Sequence, residues 1–310
     1  MNLIALLIGL VVERLATQWF HWRRMRWLDS IIDRGFALAG RVSGWPALIP
    51  IILLAVLLVL PAYAVIIALG GTLAGFTYFV LAVVLLFFSF GPHDIGEEVD
   101  EYCDALESED EEAIHSAAKA IVEGDVPQEP LTLIRRVEES VCVQANNRLF
   151  AVIFWFVVMG LWFEALGPLA AWAYRVTDLI RRRAVFNASR SESEDKNAFR
   201  VRDAAVALHG WLAWIPARLT AVGYATAGHF DEAIAAMRAP ADQTGAGASE
   251  QNENLLARVG VAALALQEDA DESITTRGVR GAAAAKRLVF RQLMIWAVII
   301  SAMTLYGLTQ

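Results

Sequence analysis

The chain has 310 residues, of which 57% are hydrophobic and only 19% charged, and its mean hydropathy is +0.46. Such a composition is too apolar for an ordinary soluble domain, so it places the chain in a lipid bilayer and excludes a disordered or low-complexity protein. A formal net charge of -8 excludes nucleic acid as a general partner, and two separated cysteines, Cys103 and Cys142, build neither a disulfide scaffold nor a thiolate metal site.

In chain order, Leu3 to Val12 is apolar and gives way to Glu13 and Arg14, then to Trp19, Phe20 and Trp22. It lacks the basic start and small-residue cleavage site of a secretory signal and reads as a retained helix with its indoles at the membrane interface. A spanning helix needs about 20 apolar residues. Trp45 to Leu69 carries no charge, and Gly70-Gly71 turns it into Thr72 to Phe90, which predicts a transmembrane hairpin with Pro50 and Pro61 kinking its first arm. Leu149 to Tyr174 is long enough to cross but contains Glu164 and a Gly167-Pro168 break, predicting a span with an irregular end. Gln292 to Leu308, preceded by Lys286, Arg287 and Arg291, predicts a C-terminal anchor.

Lysine and arginine bias sets orientation, and the loop carrying Arg23, Arg24, Arg26, Arg34 and Arg41 is therefore cytoplasmic. A single crossing by 149–174 would then place Arg175, Arg181, Arg182, Arg183, Arg200 and Arg202 outside, against the same rule. The conflict disappears if that segment is re-entrant or if Ala204 to Gly228 also inserts, which leaves four to six crossings open.

Between these segments lies a strongly acidic insert, 91–147. Val99, Tyr102, Cys103 and Leu106, then Ile114, Ala117, Ala118 and Ile121, predict two amphipathic helices. Ser108 and Glu111 form a capping-box pattern that starts the second, Gly124 stops it, and Pro130 starts a third helix running into Leu149. With few aromatics and much like charge, the insert should have little core and act as a docking or solvating cap. The second polar region, roughly 175–287, has a basic start, the aromatic stretch at 204–228, a loop from Ala239 to Gly247, and an amphipathic helix marked by Leu255, Leu256, Val259, Ala263 and Leu266. The expected fold is all-α: a polytopic helical membrane protein with amphipathic cytoplasmic helices. Its divisions are 1–90, 91–147, 148–230 and 231–310.

Chemical signatures are sparse. His21, His93, His115, His209 and His229 show no metal-ligand spacing, and no phosphate-binding loop, dinucleotide fingerprint or hydrolase elbow occurs, so no metal and no cofactor is expected. His93 reads as part of a polar helix terminator at Gly91-Pro92-His93-Asp94. Charges within apolar segments, namely Glu13, Arg14, Glu164 and Arg218, are more informative, because an ionised group in hydrocarbon requires a partner or an interface. Arg181 to Arg183 reads as a membrane-proximal basic anchor, and Phe154-Trp155-Phe156 as lipid contacts.

Three stretches carry a family resemblance: Ala145-Asn-Asn-Arg-Leu-Phe-Ala-Val-Ile-Phe-Trp-Phe156, Gly167-Pro-Leu-Ala-Ala-Trp-Ala-Tyr-Arg175 and Trp214-Ile-Pro-Ala-Arg-Leu-Thr-Ala221. In this order they resemble the AmpE and CobD/CbiB superfamily of bacterial inner-membrane proteins, over nearly the whole chain. The AmpE branch is the closer one. The synthase branch typically follows its Tyr-Arg with an Asn-Thr-Leu-Asp type run, whereas Arg175 here precedes Val176-Thr177-Asp178-Leu179. Its Glu-Ser-Val-Ala-Glu-Asn motif is matched only by Glu139-Ser140-Val141, with Gln144-Ala145-Asn146 in place of the acidic end.

The resemblance implies a multi-pass inner-membrane regulatory or sensory protein, linked to β-lactamase induction and peptidoglycan recycling. Its partners would be the lipid bilayer, a cell-wall-derived or other anionic ligand, and a peptidoglycan-recycling protein. Arg148, Arg175 and Arg218, one in each stretch, are expected to gather near one membrane face, where guanidinium groups suit phosphate or carboxylate. Glu139, Asn146 and Asn147 would orient them or the ligand. The reading leans away from an enzyme. The alternative is a cobinamide-phosphate-synthase-like enzyme using the same arginines with Glu139 as base, and a third possibility, transport, rests on Glu13 and Glu164.

Overall fold

The structure, a computed structural model, describes residues 25–41, 46–69, 76–91, 94–163, 166–191, 196–240, 247–267 and 271–306. No strand occurs among them, and the helices are numbered from the first one described. The N-terminal apolar segment with Glu13 and Arg14, the Gly70-Gly71 turn, His93 and Glu164 lie outside the described residues.

The expected cytoplasmic loop is in fact a helix, α1 (Arg26–Arg41). Leu28 and Ile32 recur at helical spacing and are buried, while Arg34 is exposed, so α1 is amphipathic with Arg34 on its outer face. The apolar helices α2 (Leu48–Leu69) and α3 (Phe76–Ser89) follow; they touch each other, and both pack on α8, introduced below. Pro61 lies inside α2 and Pro50 in its first turn. Two described helices are long and apolar enough to cross a membrane. In the first, Leu48–Ala68, only 28% of the apolar window is buried, and Leu53, Leu57 and Ile67 stand 58–61% exposed. Uniform apolarity without burial suits hydrocarbon as the surrounding solvent.

The second, Pro130–Trp162, is 72% buried and runs through the middle of the molecule. It comprises α6 (Pro130–Ala145), a π-helical turn (Asn146–Phe150) and α7 (Ala151–Trp162). Beyond Phe163 the chain resumes as α8 (Gly167–Arg190), which packs back along α7. Near the closed end a side chain on Gly167 would place its Cβ 2.7 Å from the Phe156 carbonyl oxygen and 3.3 Å from Gly160 Cα. Towards the open end Arg182 donates to Gln144 at 3.0 Å. Residues 144–182 are therefore an antiparallel helical hairpin. Leu149 to Tyr174 is not one span, because glycine at 167 lets the two backbones meet and Pro168 starts a new helix. The arginines of α8 return to the side of Arg148, the geometry that a re-entrant segment would have.

Aromatic residues 154–156 are core rather than lipid contacts. Phe154 and Phe156 are buried, and half-buried Trp155 donates from Nε1 to the Leu212 carbonyl at 3.2 Å. The acidic insert also differs from expectation. Its helices α4 (Ile95–Ser108) and α5 (Glu111–Ile121) form where the apolar spacing places them. The cap of α5 is Asp110, which accepts from the backbone of Glu112 and Ala113 at 3.0 and 3.3 Å, while Ser108 turns back to the Ala105 carbonyl. Gly124 adopts φ +100° just after the helix ends, and Pro130 opens α6 under a Glu129 cap.

Far from lacking a core, the insert buries Val99, Tyr102 and Ile121. They share one cluster with Leu256 and Val259 of α11 (Ala248–Leu264) and Ala282 and Leu288 of α12 (Ile274–Leu305). Alternation of charge and apolar residues along α4 and α5 puts most of the carboxylates outside without depleting the inner face, and Glu98 is the one that turns in. The remaining helices are α9 (Lys196–Ala227) and α10 (Phe230–Arg238). α9 lies against α11, with Gly210 facing Ser249 and Gly228 facing Ala263.

Substituting Gly167→Ala should destabilise the detergent-solubilised protein by about 1–3 kcal/mol, because the new methyl group meets backbone that cannot yield. Gly247→Ala, with nothing within 4 Å of the added carbon, should cost less than Gly167→Ala, about 0.5–1 kcal/mol for the poorer N-cap of α11. Thermal melts of the two variants compare them directly.

Candidate functional site

At the open end of the hairpin the helix α8 assembles most of a polar cluster on itself. Asp178 is completely buried, and Arg175, Arg181 and Arg182 lie three or four residues away on the same helical face. Arg175 Nη1 donates to Asp178 Oδ2 at 2.6 Å, Arg182 Nε to the same oxygen at 3.0 Å, and Arg181 Nη2 to Oδ1 at 2.9 Å. A buried carboxylate is retained only when such charged donors replace its lost hydration.

Other elements extend the cluster. Glu123, from the turn after α5, pairs with Arg181 at 2.9 Å and Arg182 at 2.8 Å. Gln144 of α6 accepts from Arg182 and from Arg148 Nε, each at 3.0 Å, and so joins the two ends of the hairpin. Arg148 also donates to Glu98 of α4 at 2.6 Å and to the Ala120 carbonyl at 3.2 Å. Burial alone would raise the Glu123 carboxyl, but the Arg181 and Arg182 guanidinium groups beside it hold it well below the usual carboxylate range. Glu253 on α11 is pushed up by burial, an effect that Arg181 only partly offsets.

Of the residues singled out from sequence, Arg148 and Arg175 belong to this one network. Asn146 and Asn147 are buried in the π-helical turn, bonded to each other at 3.1 Å, and Asn146 accepts from Thr220 of α9 at 3.0 Å. Arg218 takes different partners: it donates to Asn252 of α11 at 3.0 Å and to the Trp214 carbonyl at 2.9 Å, with its guanidinium 3.8 Å from the Trp214 ring centroid. Glu139 turns to Arg135 and Arg136 on its own helix, at 3.4 and 3.7 Å. Its neighbour Glu138 is the buried one and pairs with Arg277 of α12.

Sequence reasoning missed Asp178, Glu98, Glu123, Gln144 and His209. It also read Arg181 and Arg182 as an outward anchor, whereas both turn inward to Asp178 and Glu123; Arg183 pairs with Asp33 and Asp29 of α1. The available signal was the Arg-x-x-Asp-x-x-Arg-Arg spacing of 175–182, which places three cations around one carboxylate on one face. His209 of α9 is 1% exposed, with its Nε2 3.7 Å from Asp178 Oδ1 and its ring 5.2 Å from that of Tyr174. Both His209 nitrogens, Tyr174 Oη and Arg181 Nε are buried without a hydrogen-bond partner among the described residues. Several polar atoms left open around one carboxylate leave hydrogen-bonding capacity that water or a polar ligand group would satisfy.

These features define an all-α protein with helices of membrane-crossing length and a charged cluster enclosed between them. The chain belongs to the family described as regulatory signalling modulator protein AmpE, whose model matches residues 1–309. It is similar to a curated relative, the Cobalamin biosynthesis protein CobD of Stutzerimonas stutzeri (strain A1501), at 28% identity over 215 residues, 69% of this chain and 62% of the relative. The match thus spans less than two thirds of that relative's length. No solved structure matches the chain.

A group whose pKa is depressed in the folded state stabilises the fold above its unfolded pKa and loses that contribution as pH falls. Melting temperature should therefore decline below about pH 4.5 as Glu123 and Asp33, the latter held low by its Arg183 hydrogen bonds, take up protons. Glu123→Gln should lower the melting temperature at pH 7 and flatten that acid decline, as melts in detergent across pH 3–7 would record.

Proposed function

We propose that this protein is a multi-pass inner-membrane modulator of β-lactamase induction, linked to peptidoglycan recycling and hence to antibiotic resistance, and that it works by binding an anionic ligand at the Asp178 cluster. Family membership supports the regulatory role. The apolar, little-buried Leu48–Ala68 helix and the hairpin support the membrane setting. The observation that carries ligand binding is the set of buried, unbonded polar atoms on Tyr174, Arg181 and His209 around a carboxylate already surrounded by guanidinium groups. An anionic group from the cell wall would accept from Arg181 Nε and Tyr174 Oη where no protein acceptor is in place. A peptidoglycan-recycling protein is the partner this reading requires.

Tyr174→Phe removes only a hydroxyl that bonds to nothing described. If the cluster is purely structural, both melting temperature and signalling stay as they were. The binding reading expects an unchanged melting temperature with β-lactamase induction reduced about 5–10-fold, the worth of one hydrogen bond to a ligand. An induction assay in cells carrying the variant, with melts of the purified protein, separates the two.

The relative described as a cobalamin biosynthesis protein supports a second reading, a cobinamide-phosphate-synthase-like membrane enzyme. The regulatory reading expects purified protein incubated with a corrinoid acid and aminopropanol phosphate to form no condensed product, and a condensed product detected by mass spectrometry would overturn it.

A further inference from the structure

A cavity of about 530 Å³ opens between the start of α4, the π-helical turn and the middle of α12. Ile95, Leu149, Val289 and Leu293 give it apolar walls. Its other side is charged in both senses, with Lys286 and Arg287 of α12 near Asp94, Glu97 and Asp100. Lys286 Nζ reaches Asp100 at 2.5 and 2.6 Å, whereas Arg287 is exposed and makes no ion pair among the described residues. The stem of Arg148, itself 4% exposed, forms part of the lining; it passes so close to Gly91 that a Cβ there would lie 2.8 Å from Arg148 Cδ.

The surroundings say what chemistry fits. Phe290 lines the cavity and begins a stripe continued by Met294 and Val298, four residues apart and 44–68% exposed, on the apolar half of α12. One turn towards the N-terminus stand Lys286 and Arg287. Exposed Arg291 is the last charged residue of α12, so the cavity lies where the helix surface changes from charged to apolar, the level of a headgroup where such a surface meets lipid. A volume of this size is that of a small-molecule pocket. Apolar ligands have no use for the charged wall, and a purely anionic head would face Asp94 and Asp100 as well as the cations.

We propose that this cavity holds a single zwitterionic phospholipid with a primary-amine headgroup. Its phosphate lies against Lys286 and Arg287, its ammonium against Asp94 and Asp100, and an acyl chain along Phe290, Met294 and Val298. Through Arg148, which lines the cavity and shares Gln144 with Arg182, the lipid would adjoin the Asp178 cluster. The proposal does not depend on an anionic ligand occupying that cluster.

Native mass spectrometry of the full chain in detergent, incubated with equal amounts of phosphatidylethanolamine and phosphatidylglycerol of the same chains, provides the test. One phosphatidylethanolamine should be retained, favoured at least fivefold. Arg287→Glu and Phe290→Trp should each cut that retention at least fivefold, and Lys119→Glu, on the exposed side of α5, should leave it unchanged. If one variant fails to fold, the other still decides. Equal or preferential retention of phosphatidylglycerol, several lipids lost equally in all variants, or no retained lipid would each overturn the proposal.

Discussion

A carboxylate with no access to water organises this molecule. Asp178 can remain charged inside the bundle only because Arg175, Arg181 and Arg182 surround it from the same helix. Those guanidinium groups in turn need more acceptors than one carboxylate offers, and the surplus is taken up by Glu123, in the turn after α5, and Gln144 of α6. The positions of α5, α6 and α8 are thus tied together by hydrogen-bond accounting. A hydrophobic cluster tolerates small slips between helices, whereas paired charges deprived of solvent do not.

The central helix makes that arrangement possible. Pro130–Trp162 contacts nearly every polar element along its first half and becomes apolar along its second, so one rod carries both the cytoplasmic-type packing of α4, α11 and α12 and the hairpin with α8. Its π-helical turn falls where these two environments meet, and it buries Asn146, Asn147 and Arg148 in succession. Such turns recur at functional sites because the widened backbone redirects side chains that a regular helix would spread around its surface.

Much of the architecture was legible from local pattern. Apolar spacing located α4, α5 and α11, the Pro130 start was visible as a proline suited to a first helical position, and the absence of charge in 45–69 marked α2. What pattern cannot supply is the direction in which a charged side chain turns. Arg181 to Arg183 is one basic run in sequence, yet two members face inward and the third faces α1. Glu138 and Glu139 are likewise adjacent, and only Arg277, far along the chain, decides that the first is the buried one. Arg148 and Arg175 stood out through family resemblance, whereas Asp178 was read as a departure from a relative's motif rather than as a partner of its neighbours.

The hairpin has a consequence for how such a chain is made. Both flanks of 144–182 end side by side, carrying Gln144, Arg181 and Arg182. For a chain delivered to a bilayer by an insertion machine, the two apolar arms can enter together as a folded pair. The guanidinium groups and their ion-pair partners would then stay together at the mouth of the pair, with no need to thread a charged arm through hydrocarbon.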